Sequence, residues 1–232
     1  MVTAERPGAR RSVAEWLSGD GAAWVRINAA TTEDWPADVD ALRGLPGLQG
    51  VMLAKSESGQ QVRDTSDRLG AAVPVLALVE SARGIEFAYD IASEAATLRL
   101  AFGSGDFRRD TGAGAEPDAL AYARGRLVVA SAAAGIAAPI DGPTLVDDRD
   151  TRVEALAVTR SMGMSGKLCM HAAHTGDVNR ELSPSAEDAA WADEVIDRLG
   201  ADGSGVRSGS DRPQLARALT IRTRLDALRL SY

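Results

Sequence analysis

Residues 97–107 read TLRLAFGSGDF. The opening residues, mostly branched or apolar, suit a buried strand, yet they run straight into Gly-Ser-Gly and a carboxylate, Asp106. One such ending carries little information. A second, third and fourth would mark a plan, and the chain supplies them. Short β-type runs also occur at AAWVRIN (22–28), LQGVMLAK (48–55), VPVLALVE (73–80), AAPIDGPT (137–144) and GKLCMH (166–171). Each carries a polar or ionisable residue at or near its end: Arg26 with Asn28, Lys55, Glu80, Asp106, Asp141 and His171. From Arg26 onward the intervals are 29, 25, 26, 35 and 30 residues, each about one βα unit.

The segments between these runs read as helices. SGQQVRDTSDRLG closes on Gly70, a C-cap residue. PDALAYARGRLVVASAAAG has Pro117 at its start and closes on Gly135, and SPSAEDAAWADEVIDRLG offers Ser183 as N-cap with Pro184 at the first helical position. Strands alternating with helices at this spacing predict an α/β fold with a parallel sheet. A doubly wound sheet would carry its site only at the crevice where strand order reverses. Functional side chains at all six strand ends favour a (β/α)8, TIM-barrel-like ring, in which every strand delivers its C-terminal end to one mouth.

With 232 residues the chain can bury a sizeable core. A net charge of −7 with 25% charged residues argues against a nucleic-acid binder, which needs surplus Lys and Arg for phosphate. No apolar run approaches the ~20 residues that span a bilayer, and no apolar signal core follows the N-terminal arginines. The single Cys169 cannot form an internal disulfide, which fits a cytoplasmic setting. A Gly/Ser-rich loop at 200–211 separates a main domain, 1–200, from a C-terminal loop and helix, 201–232.

Glu80 and Asp106 are the sharpest pair. Each follows a run too apolar to be solvated, so each carboxylate needs a partner, and adjacent barrel strands bring both within reach of one cation. Two carboxylates completed by water and substrate oxygens suit Mg2+; a salt bridge or a helix cap is the competing explanation. Gly103, Ser104 and Gly105 leave room for backbone N–H groups to approach an anion. Arg26 suits a bidentate carboxylate clamp or, equally, a structural ion pair. Lys55 and Asp141 carry weaker signals. GSGDF lacks the third glycine of a dinucleotide fingerprint, Arg108 standing in its place. His171 and His174 lack companion ligands at metal spacing, and Cys169 reads as a small buried hydrophobe. The six arginines from Arg207 to Arg229 read as a solvated helix face.

Taken together, WVRINA, GVMLAKSES, LALVESARGI, LRLAFGSGDFRRDTGA, ARGRLVVASAAAGIAAPIDGP, GMSGKLCMHAAHTGDVNRELSPS and GSDRPQLARA resemble, in order, the citrate lyase β-subunit-like CoA-ester lyases of the HpcH/HpaI aldolase superfamily. That resemblance implies a Mg2+-dependent (or Mn2+-dependent) modified TIM barrel, trimeric or hexameric, that cleaves or condenses a malyl-, citramalyl- or citryl-type 3-hydroxyacyl-CoA. It further implies that Glu80 and Asp106 ligate the metal, that Arg26 and the Gly103–Ser104–Gly105 backbone hold the oxo acid, and that Asp211 is the acid–base group on a C-terminal lid. The family pattern has two more strands at the start, the second ending in an acidic D-L-E-D motif. Six of eight strands are therefore expected here, with the ring truncated, completed by another chain, or stripped of its standard site. Ala54 and Ala172 replace prolines of the pattern, His174 a glutamine, and Gly209-Ser210 the Met-Ile before the lid aspartate. The alternatives are an aldolase acting on free hydroxy-oxo acids and a weakly active remnant or subunit of a complex.

Overall fold

The computed structural model describes residues 5–70 and 73–229. Six strands, β1 (Ala23–Ile27), β2 (Leu48–Leu53), β3 (Val75–Val79), β4 (Thr97–Phe102), β5 (Ile140–Asp141) and β6 (Gly166–Lys167), form one sheet in the order β1-β2-β3-β4-β5-β6. Every pairing is parallel. Strictly sequential order leaves no switch point, which excludes the doubly wound alternative, and the sheet curls as a half-barrel of the TIM-barrel type. Among the described residues nothing pairs with the outer edges of β1 and β6.

The helices are α1 (Arg6–Ser18), α2 (Trp35–Leu42), α3 (Gly59–Leu69), α4 (Ala82–Glu86), α5 (Ala88–Ser93), α6 (Ser104–Thr111), α7 (Ala121–Ala133), α8 (Arg149–Ser161), α9 (Thr175–Leu182), α10 (Ala186–Leu199) and α11 (Asp211–Arg229). Their ends follow local chemistry. Ser58 accepts the Gln61 N–H at the start of α3, and Gly70 closes that helix with φ +115°. Asp148 accepts the Thr151 N–H at the start of α8. The N-cap of α10 is Ser185 in a capping box with Asp188, two residues past the expected Ser183. Pro117 precedes a short 3₁₀ turn, Asp118–Leu120, that leads into α7.

Val51, Leu53, Val75, Ala77, Val79, Leu100 and Phe102 are fully buried, and with Val62, Ile85, Ile91 and Leu127 from the helices they form the main core. Burying a Val, Leu or Phe side chain contributes roughly 1.5–3 kcal/mol, so the central strands are where this unit is most firmly held. Two compact units divide the chain, Met1–Thr175 and Gly176–Tyr232. The second has its own core of Ala192, Val195, Leu199, Leu215 and Ala218, so the C-terminal segment expected at 201–232 shares its unit with α10.

Candidate active site

The site is built at the C-terminal ends of β1 to β4. Glu80 directly follows β3 and is 4% exposed, because the apolar strand before it leaves the carboxylate no route to bulk water. Its Oε1 accepts the Lys55 backbone N–H at 3.0 Å and lies 3.6 Å from Nη2 of Arg26, a side chain open to solvent on β1. Its other oxygen lies over Gly103: a Cβ there would stand 2.5 Å from Oε2 and 2.3 Å from the Glu80 Cβ. Glycine is needed at 103 for space, since its φ of −89° is open to any residue.

Asp106 does not end a strand. β4 stops at Phe102, and Asp106 sits in the first turn of α6, which returns its carboxylate to the neighbourhood of Glu80. The same carboxylate meets Arg109 at 2.8 Å, one turn along the helix. Burial pushes the Glu80 carboxyl above the usual range, and neighbouring Asp106 adds to the rise against the opposing pull of Arg26 and the Lys55 N–H. Two neighbouring carboxyls both ionise only with a cation between them; otherwise they keep a proton.

That donor set fits Mg2+. The ion is bound by one or two carboxylates and keeps waters and substrate oxygens for its remaining positions, and no larger group of His, Cys, Asp and Glu gathers among the described residues. The Gly103 amide, however, is spent on the sheet, donating to the Val79 carbonyl at 2.9 Å. Of the expected glycine-rich cradle, Ser104 and Gly105 remain, in the first turn of α6, where backbone N–H groups have no intrahelical acceptor.

Lys55 sits at an unusual bend. With φ +47° it is the one non-glycine among the described residues in the left-handed region, a conformation that costs about 1–3 kcal/mol for such a residue. The amide role this bend creates was missed in the sequence, where only the side chain of Lys55 carried a signal.

Asp141 belongs elsewhere, although it ends β5 as expected. Its buried carboxylate accepts from Arg124 Nε on α7 (3.0 Å), Thr159 Oγ1 on α8 (2.7 Å) and Lys167 Nζ (3.0 Å). Burial pushes its carboxyl up, but Lys167, Arg124 and the Thr159 hydroxyl outweigh that and hold it below the usual range. It is the centre of a buried ion-pair cluster that joins β5 and β6 to α7 and α8.

His174 is buried with Nε2 3.0 Å from Asp147, and the rings of His171 and His174 meet edge to face at 5.4 Å. Cys169 is half-buried, with its thiol pushed up by burial, so it carries little thiolate.

In the second unit Asp211 begins α11 and accepts the N–H groups of Arg207 (2.9 Å) and Ser208 (2.7 Å) on one oxygen, with Arg198 3.6 Å from the other. Those backbone N–H bonds hold its carboxyl below the usual range. The arginines of this unit make surface contacts: Arg217 with Asp188 and over the Trp191 ring, Arg222 with Asp193, and Arg224 with the Leu182 carbonyl. The side chain of Arg229 lies outside the described residues.

The chain is similar to known proteins along most of its length. A citrate lyase subunit beta-like protein of Deinococcus radiodurans is 30% identical over 94% of this chain and 83% of its own. Citramalyl-CoA lyase of rat mitochondria is 28% identical over 74% of this chain and 57% of its own. A crystal structure of CitE from Mycobacterium tuberculosis, in complex with magnesium, acetoacetate and coenzyme A, superimposes with a TM-score of 0.74 at 27% identity, covering 97% of this chain and 85% of that one. The model of the HpcH/HpaI aldolase C-terminal domain matches residues 187–229, and that of HpcH/HpaI aldolase/citrate lyase matches residues 3–172. With the family model spanning most of its length, the chain belongs to the HpcH/HpaI aldolase/citrate lyase family.

Proposed function

We infer that this protein is a Mg2+-dependent carbon–carbon lyase that cleaves a 3-hydroxyacyl-CoA of the malyl, citramalyl or citryl type into a 2-oxo acid and an acyl-CoA, or joins them in the reverse direction. The observation that carries this reading is the buried Glu80 carboxylate 3.6 Å from Arg26, with the Asp106 carboxylate as its neighbour, at one rim of a parallel sheet. The CitE complex with magnesium, acetoacetate and coenzyme A supports the same chemistry, as does the citramalyl-CoA lyase relative.

Each residue has a part in this reading. Glu80 and Asp106 would hold Mg2+, which when bound supplies stabilisation of the negative charge developing on the substrate oxygens. Arg26, open to solvent and touching Glu80 only at 3.6 Å, is free to turn its guanidinium fork to the carboxylate of the oxo acid. The N–H groups of Ser104 and Gly105 face the same anion from the start of α6. Asp211 is the acid–base group. It enters as an anion, because two backbone N–H bonds stabilise its charged form, and so it accepts a proton before it returns one. The setting we infer is a cytoplasmic assembly of several copies; no helix among the described residues is long and apolar enough to cross a membrane.

The test is direct. Purified protein with Mg2+ is incubated with malyl-, citramalyl- and citryl-CoA while free oxo acid is followed. The expected result is cleavage of one ester, abolished by chelation and by Glu80→Ala or Asp106→Ala. Inertness towards all three, or activity that survives both substitutions, overturns the reading.

A further inference from the structure

The turn after β2 is clamped on both sides of Lys55. The Ala54 N–H donates to the Ile27 carbonyl at 3.3 Å, which keeps Ala54 in the sheet. The Ser56 N–H donates to the Leu78 carbonyl at 2.9 Å, and its fully buried hydroxyl donates to the Leu53 carbonyl at 3.0 Å. Between these two anchors the chain must reverse in one residue, and Lys55 takes the left-handed conformation that does so. Its two neighbours give their N–H groups to main-chain carbonyls. Lys55 alone gives its N–H to a side chain, Glu80 Oε1.

We propose that Lys55 is a positioning residue whose left-handed backbone amide pins Glu80 Oε1, so that the second oxygen of Glu80 is presented towards Asp106. The metal part of this proposal rests on the reading above. A buried carboxylate facing one arginine at 3.6 Å could otherwise rotate to take that cation in a closer ion pair. The Lys55 amide occupies the oxygen on the arginine side, and Gly103 leaves the space into which the other oxygen fits. The role lies in the backbone and the ammonium group is dispensable to it. That separates the proposal from an ordinary substrate-binding lysine.

Mn2+ alone, titrated into the full chain and followed by electron paramagnetic resonance of the free ion, is the probe. Lys55→Gly and Lys55→Ala both keep the N–H; glycine takes positive φ freely and alanine meets no greater Cβ penalty there than lysine does, so both should bind Mn2+ within about threefold of wild type. Lys55→Val resists the left-handed region and should bind it about tenfold or more weakly while keeping its far-UV dichroism. Equal weakening in all three variants moves the role to the side chain and overturns the proposal, as does a folded Lys55→Val protein of wild-type affinity.

Amide exchange at residue 55 decides the matter without metal, even if the valine variant does not fold. That N–H should be protected in wild type and in Glu80→Gln, whose amide oxygen can still accept, and should exchange about tenfold or more faster in Glu80→Ala. The same rate in all three overturns the proposal. If instead Glu80→Gln and Asp106→Asn leave Mn2+ affinity unchanged, the metal reading fails while the exchange result still reports on the amide.

Discussion

At Gly103 one missing methyl group decides whether Glu80 can stand where it does. A Cβ 2.3 Å from the Glu80 Cβ and 2.5 Å from its Oε2 is far inside contact distance, and the near atom is the root of a buried side chain, which has little freedom to give way. Gly103→Ala should therefore displace the carboxylate. The expected outcome is a stability loss of about 1–3 kcal/mol in urea, together with Mn2+ affinity reduced about tenfold or more. Gly105→Ala is the control, because a Cβ at 105 meets nothing within 4 Å. Equal effects of the two substitutions would show that steric displacement of Glu80 is not the cause.

At the scale of elements, Asp141 ties β5 and β6 to α7 and α8 through Lys167, Arg124 and Thr159. Replacing it by Asn leaves two cations without their buried counter-charge and should cost about 3–5 kcal/mol at pH 7. The pH dependence follows from its lowered carboxyl pKa. Because the unfolded chain, with a pKa near ~3.9, binds the proton more readily than the folded one, the Asp141 contribution is complete above ~3.9 and is lost as pH falls through the lower folded value. Denaturant unfolding at pH 7 and again near pH 3 should show the difference between wild type and Asp141→Asn narrowing in acid. A difference that stays constant would mean that the ion pair contributes nothing through its charge. The α/β alternation and the six strands were legible because period and apolar runs record burial directly, although β4 stops at Phe102 and β6 at Lys167, short of the expected ends at Asp106 and His171. The direction of Asp141 was not: β5 has only two residues, too few for an inward–outward pattern to appear. Asp106 was legible as a partner of Glu80 but not as a helical residue, because FGSGDF reads as a strand that fades into a loop until Gly103 is seen opening α6. The bend at Lys55 left no mark in composition, since lysine is not a residue that announces positive φ.

Across the whole molecule, most of the buried apolar residues among those described fall into two cores, one under the sheet and one between α10 and α11. Leu199 and Ala218 are buried in the second, whose rim carries the Arg217–Trp191 stack at 4.7 Å. A chain whose buried surface is divided in this way need not melt as one cooperative body, because cooperativity follows shared contacts rather than chain continuity. Leu199→Ala opens a cavity in the second core alone and should cost about 2–5 kcal/mol there. Leu100→Ala does the equivalent under the sheet, where Leu100 is fully buried. Differential scanning calorimetry of the three proteins should resolve two heat-absorption steps in wild type, with Leu199→Ala lowering the midpoint of one and Leu100→Ala lowering the midpoint of the other. A single step that moves as a whole in both variants would mean that the two cores are energetically one, and Asp211, for which we propose the acid–base role, would then share the full stability of the unit that carries Glu80 and Asp106.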